Sequence, residues 1–210
     1  MKAAFLCLVL AALPAFGEHQ ETPLAPITLY TTFQQEPPRV VVDAIQNELN
    51  SIFAPTGLRF TWQDLSGERG DAAPVELAIV TFKGRCDIAG LTPHASNPGP
   101  LGWTHVSNGV ILPFAEVDCQ RIRGFTQKQL LTMPAEDREK VYGRALGRVL
   151  AHELYHIFAN TAAHSSSGVG KSKYTVQDLL SPKFQFEGRE SLALKRNKAY
   201  DALEWAALGM

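Results

Sequence analysis

The sequence predicts an α+β fold in which a sheet is laid down first and helices follow. Three observations carry that expectation. Stretches rich in β-branched and aromatic residues crowd into the part of the chain before residue 115. An Asn-Gly pair between two of them signals a tight hairpin. One long stretch, 134–159, keeps helical periodicity without a break. Strands followed by helices, rather than strict alternation, is the α+β pattern.

Ile27–Phe33 (ITLYTTF) is β-branched and aromatic and reads as a strand. Pro37 and Pro38 then open a helix of about 15 residues, with Val41, Ile45, Leu49 and Ile52-Phe53 at helical spacing and Pro55-Thr56-Gly57 as its stop. Residues 58–65 alternate like a half-buried strand, a Gly-bearing turn follows, and 75–83 reads as another strand. Residues 88–100 have no period and form a loop. The stretches 101–106 and 110–114 flank Ser107-Asn108-Gly109 as a hairpin. A second loop region is expected from there to about Thr132.

The long helix begins beside Pro134, which suits a first turn, and Glu136, Asp137 and Glu139 lie near its positive end. Tyr142, Ala145, Leu146, Val149, Leu150 and Leu154 make its apolar face. Gly143 and Gly147, four apart, let a second element approach closely. Asn160 suits a left-handed cap. A loop, a short turn (VQDLLSPKF) and a C-terminal helix from about 188 to 208 complete the chain.

The chain is one domain's length, 210 residues, with formal charge -1 and 45% hydrophobic residues. It lacks the basic excess of a nucleic-acid binder. Its start, MKAAFLCLVLAALPAFG, reads as a secretory signal peptide over residues 1–17: Lys2, an apolar run 3–13, Pro14, then small residues before a cleavage after Gly17. The apolar run is too short to span a bilayer, which takes about 20 residues, so no stable membrane insertion is expected after cleavage. The expected mature domain, 18–210, loses Lys2 and no acid, which leaves 19 basic against 21 acidic side chains, net -2. It keeps Cys86 and Cys119, an even pair that reads as a disulfide in an exported protein, with two buried free thiols as the rival.

The chemistry lies in His152-Glu153-Leu154-Tyr155-His156, an HExxH inside the long helix. Residues four apart project from one helix face, so both imidazoles can reach a single Zn²⁺. Glu153 is rotated by about 100° from His152, and can take a proton from a water that the ion activates.

On these residues the chain resembles the zincin metallopeptidases, and within them the metzincins. That resemblance implies zinc ligation by His152 and His156, a general-base role for Glu153, and a mixed sheet whose edge strand borders the cleft ahead of the active-site helix. The family places a third zinc histidine six residues after the second, beyond a Gly that turns the chain. Here Ala162 holds that position, His164 stands eight residues after His156, and Asn160 can do the turning. The segment Val176 to Pro182 looks like the family's Met-turn, with Leu180 where Met would stand. His164 is the expected third ligand. Glu187 or Glu190, at the start of the last helix, is the rival.

The expectation is therefore a secreted or periplasmic endopeptidase with one catalytic Zn²⁺ on His152, His156 and His164, acting on a peptide or protein substrate. A zinc-bound but catalytically idle protein-binding module, and a metal-free domain in which the histidines merely pack, are the alternatives. His94 and His105 are candidate cleft residues with structural roles as the simpler reading. Tyr174 is a candidate hydrogen-bond donor to an oxyanion, against a surface tyrosine. Ser165 to Ser167 read as a loop, since no nucleophile elbow surrounds them. Trp62, Trp103 and Trp205 read as core or cleft-wall residues.

Overall fold

The structure, a computed structural model, describes residues 27–67, 74, 76–93 and 99–196. The signal-peptide stretch, the lead-in 18–26, most of the Gly-bearing turn, His94, Trp205 and the end of the C-terminal helix lie outside the described residues.

Five strands form one mixed sheet: β1 (Ile27–Phe33), β2 (Phe60–Asp64), β3 (Leu77–Lys83), β4 (Gly102–Ser107) and β5 (Val110–Asp118), in the spatial order β2-β1-β3-β5-β4. β1 runs parallel to β2 and β3, β3 runs parallel to β5, and only β4 is antiparallel to its neighbour. A parallel pair needs a long crossover. Between β1 and β2 that crossover is α1 (Arg39–Phe53), closed by a 3-10 turn, Ala54–Thr56, and by Gly57 in the left-handed region. The hairpin β4–β5 turns on Asn108 (φ 50°) and Gly109 (φ 79°), with Ser107 opposite Val110. Two successive positive φ angles give the turn whose twist matches its strands.

The sheet's inner face (Ile27, Leu29, Ala78, Val80, Phe82, Val117) joins α1 and α3 (Ala135–Phe158) in one buried cluster. The two glycines of α3 meet α1, as expected. A Cβ on Gly143 would lie 2.6 Å from the Val41 carbonyl oxygen and 2.7 Å from Ala44 Cβ, and one on Gly147 would lie 2.9 Å from the Ile45 carbonyl oxygen. The helices therefore pack backbone to backbone.

Two expectations are corrected. The loop region before Thr132 is a helix, α2 (Cys119–Leu131). The Asp118 side chain caps it by accepting from the Arg121 N–H at 2.9 Å. Ile122, Thr126 and Leu130 are its buried row, and the Thr126 hydroxyl is satisfied by donating to the Ile122 carbonyl (2.8 Å). That polar member of the row, beside Gly124, hides the period. β5 also runs four residues beyond the expected 114, because Phe114 to Asp118 pair with β3 on one side while Ala115 to Val117 pair with β4 on the other. Cys86 and Cys119 are joined as a disulfide, Cα atoms 4.9 Å apart, which ties the end of β3 to the start of α2. Among the described residues no helix is long and apolar enough to cross a membrane.

Candidate metal centre and active site

α3 carries the HExxH in its last two turns and ends at Phe158. The ending is specific. Asn160 takes φ 44°, its N–H donates to the Ile157 carbonyl (3.2 Å), and the Thr161 N–H donates to the His156 carbonyl (3.1 Å). These are the two bonds of a Schellman motif, and they turn the chain back over the helix end. His164 returns with it. The donor atoms of His152, His156 and His164 all lie within 4.8 Å of one another. The eight-residue spacing brings the third imidazole to the other two.

The hydrogen bonds fix what these rings can do. His152 Nδ1 donates to the Val169 carbonyl (2.8 Å), and His156 Nδ1 donates to the Thr161 carbonyl (2.7 Å). A carbonyl only accepts, so each Nδ1 carries the hydrogen and each Nε2 presents a lone pair. The two Nε2 atoms stand 3.1 Å apart. Burial holds the His152 imidazole far below its ordinary range, to about 4, and lowers His156 in the same direction. At neutral pH neither ring supplies a proton between the two lone pairs, so the pair repels unless a cation lies there. Tetrahedral zinc with Zn–N bonds of 2.0–2.1 Å sets neighbouring nitrogens about 3.4 Å apart. This donor set fits that ion.

Glu153 points beside the triad and is 5% exposed. Thr104 on β4 shares its hydroxyl hydrogen between the Glu153 carboxylate (2.9 Å) and the Glu153 backbone carbonyl (3.0 Å). Burial pushes the Glu153 carboxyl up to about 7, against the opposing pull of the Thr104 hydrogen bond. The triad and Glu153 open onto a cleft of about 650 Å³, bordered by edge strand β4 and walled by Leu101, Trp103, Val106, Ile111, Phe125 and Val149.

No family model matches the sequence, and no curated protein matches it. Several solved structures are similar, two of them as follows. One is archaemetzincin from Methanopyrus kandleri, with 14% identity over 82% of this chain and 95% of that one, at a TM-score of 0.47. The other is a zinc-dependent peptidase from Methanocorpusculum labreanum, with 14% identity over 80% of this chain and 99% of that one, at a TM-score of 0.49.

The remaining sequence candidates sort cleanly. Glu187 is exposed. Glu190 is committed elsewhere, its carboxylate accepting from Gly170 N, Ser165 Oγ and Glu187 N. Neither acid joins the metal-competent group of the described residues. His105 lies on β4 away from the cleft, against Glu116 (3.1 Å) and edge-on to Phe114. Tyr174 lines the cleft, and its hydroxyl donates to the Val169 carbonyl and lies 3.1 Å from His152 Nδ1, bracing that ring. Leu180 closes a short helix, α4 (Val176–Leu180), and packs against the core. Ser165 Oγ shares its hydroxyl hydrogen between the Ser167 carbonyl of its own loop (2.7 Å) and the Glu190 carboxylate (2.5 Å).

Sequence reasoning missed two kinds of support. Thr104 gave no sign, because it lies 49 residues from the acid it holds. Arg148, one turn before His152, is fully buried and pairs with Glu48 on α1 (2.6 Å) while donating to the Asp178 carbonyl on α4 (2.9 Å). It anchors the segment that presents Tyr174.

Proposed function

We propose that the protein is an exported, zinc-dependent endopeptidase in which His152, His156 and His164 hold one Zn²⁺ and Glu153 is the general base. The observation that carries this reading is the convergence of three imidazoles, two with their tautomers fixed by carbonyls, beside a buried carboxylate at an open cleft. When bound, zinc supplies Lewis acidity, which lowers the pKa of a water and polarises the scissile carbonyl. Glu153 takes the proton from the attacking water and hands it to the leaving amine nitrogen. Burial makes its carboxylate a stronger base than one on the surface, and Thr104 fixes its direction. An extended peptide adds antiparallel to the free edge of β4, with an apolar side chain against the Leu101–Phe125 wall. Export is supported by the signal-peptide pattern of residues 1–17 and by a disulfide suited to an oxidising compartment.

The test is zinc stoichiometry and peptide cleavage for wild type and Glu153→Gln. One zinc per chain in both, with cleavage of a mixed peptide library by wild type alone, is the expected result. Absence of stoichiometric zinc after reconstitution removes the metal. Equal cleavage by both proteins removes Glu153. Zinc without any cleavage by wild type identifies the idle binding module instead.

A further inference from the structure

Glu190 is an unusual group to bury. It is 2% exposed, yet among the described residues none of its hydrogen bonds comes from a cation. A carboxylate removed from water is costly unless strong donors replace its hydration, and three do. Oε1 accepts from the Gly170 N–H at 2.9 Å and from the Ser165 hydroxyl at 2.5 Å. Oε2 accepts from the Glu187 N–H at 2.8 Å, at the start of the helical stretch 188–196. Two of these donors belong to the loop that carries His164, and the third belongs to the C-terminal segment.

The loop is shaped around that carboxylate. Ser165 N donates to the Gly170 carbonyl (2.8 Å), and Ser165 bridges Lys171, so residues 165–171 form a closed turn. A Cβ on Gly170 would fall 2.1 Å from Glu190 Oε1, so only glycine leaves room for the contact. Val169, the neighbour of Gly170, gives the carbonyl that fixes His152. Ser165 is the neighbour of His164 itself. Among the described residues no hydrogen bond holds the exposed third imidazole to the helix; it meets His152 and His156 through ring contacts, centroids 5.2 and 4.9 Å apart. Its backbone is carried by the turn that follows it.

We infer that Glu190 is a positioning residue for the metal centre: through Ser165 and Gly170 it holds the His164 loop in the ligating arrangement, coupling zinc affinity to docking of the C-terminal segment. This rests on the zinc-site reading above. It also places Glu190 one step away from the ligand role that its sequence position suggested.

The test measures zinc affinity of the full chain by competition with a chromophoric chelator, and the visible absorption of the cobalt-substituted protein, for wild type, Glu190→Ala, Glu190→Gln, Ser165→Ala and His164→Ala. Supporting partners of metal ligands typically contribute 10- to 100-fold in affinity. Glu190→Ala should lose on the order of 10-fold or more and shift its cobalt spectrum toward that of His164→Ala. Ser165→Ala, which removes one donor at the loop's edge, should move both readouts the same way by less. Glu190→Gln keeps one accepting oxygen for Ser165 and Gly170 and should regain part of the loss. Ser165→Ala and Glu190→Gln carry the test if Glu190→Ala does not fold. Wild-type affinity and spectrum in the Glu190 and Ser165 variants, with both altered in His164→Ala, overturn the inference and leave the zinc site standing. Wild-type behaviour of His164→Ala overturns both.

Discussion

Glu153→Gln should stabilise the metal-free protein at neutral and alkaline pH. Burial raises the Glu153 carboxyl from 4.5 to about 7, while the unfolded chain keeps the ordinary value. Between those two values the folded protein holds a proton that the unfolded chain has released, so stability falls as pH rises through this window. The penalty is absent below about pH 4.5 and complete above about pH 7. At 1.36 kcal/mol per unit it amounts to roughly 3 kcal/mol. Glutamine has nearly the same shape, and its carbonyl can still accept from Thr104, but it carries no charge to desolvate. His152 titrates in the opposite sense, its lowered value removing stability as pH falls from 6.5 toward 4. Both proteins share that contribution, so it cancels in their difference. Urea unfolding in excess chelator from pH 4 to 8 should show the two proteins equal at the acid end and separated by about 3 kcal/mol at the other. A difference that does not change with pH, or a variant less stable than wild type at pH 8, would refute the reasoning. Adding zinc should shrink the gap, because a cation beside the carboxylate favours its charged form.

Other substitutions probe the frame. Gly143→Ala forces a methyl onto the α1 backbone and should cost about 1–3 kcal/mol; a gain of up to about 1 kcal/mol, as at an exposed helical glycine, would show that the helices are not packed so closely. Cys86→Ser with Cys119→Ser opens a loop of 33 residues and should lower stability by about 3–4 kcal/mol, read by denaturation under non-reducing conditions. Arg148→Met leaves Glu48 paired with Arg144 (3.2 Å) alone among the described residues and removes the tie to Asp178. A loss near 3 kcal/mol is expected, and an unchanged denaturation midpoint would remove Arg148 from the support of the site.

What was legible in the sequence is what local physics decides. α1, the Asn108-Gly109 turn, α3 and its Asn160 cap each follow from side chains within a few residues of one another. The HExxH is legible for the same reason, since helical spacing alone brings His152 and His156 together. α2 was not, because Gly124, Thr126 and Gln127 interrupt its apolar row and only tertiary burial gives Thr126 its place. The full length of β5 and the sheet order depend on partners dozens of residues away. The same distance hid Thr104 from Glu153. It also left Glu190 looking like a ligand, when two of its three donors lie 20 and 25 residues back along the chain.

The Schellman ending of α3 has a consequence for how such a site can change. Thr161 gives its N–H to the His156 carbonyl, and its own carbonyl receives the His156 Nδ1–H. One residue thus halts the helix and sets the tautomer of the second histidine in a single reciprocal clasp. Everything the helix must contribute is complete at Thr161. Ala162 and Ala163, both exposed, span the gap between that clasp and the turn that presents His164, tied only through the Ala163 N–H, which donates to the Thr161 hydroxyl (3.1 Å), among the bonds of the described residues. Insertions and deletions should be tolerated best at these two residues, so chain length there is a poor guide to whether the third imidazole arrives.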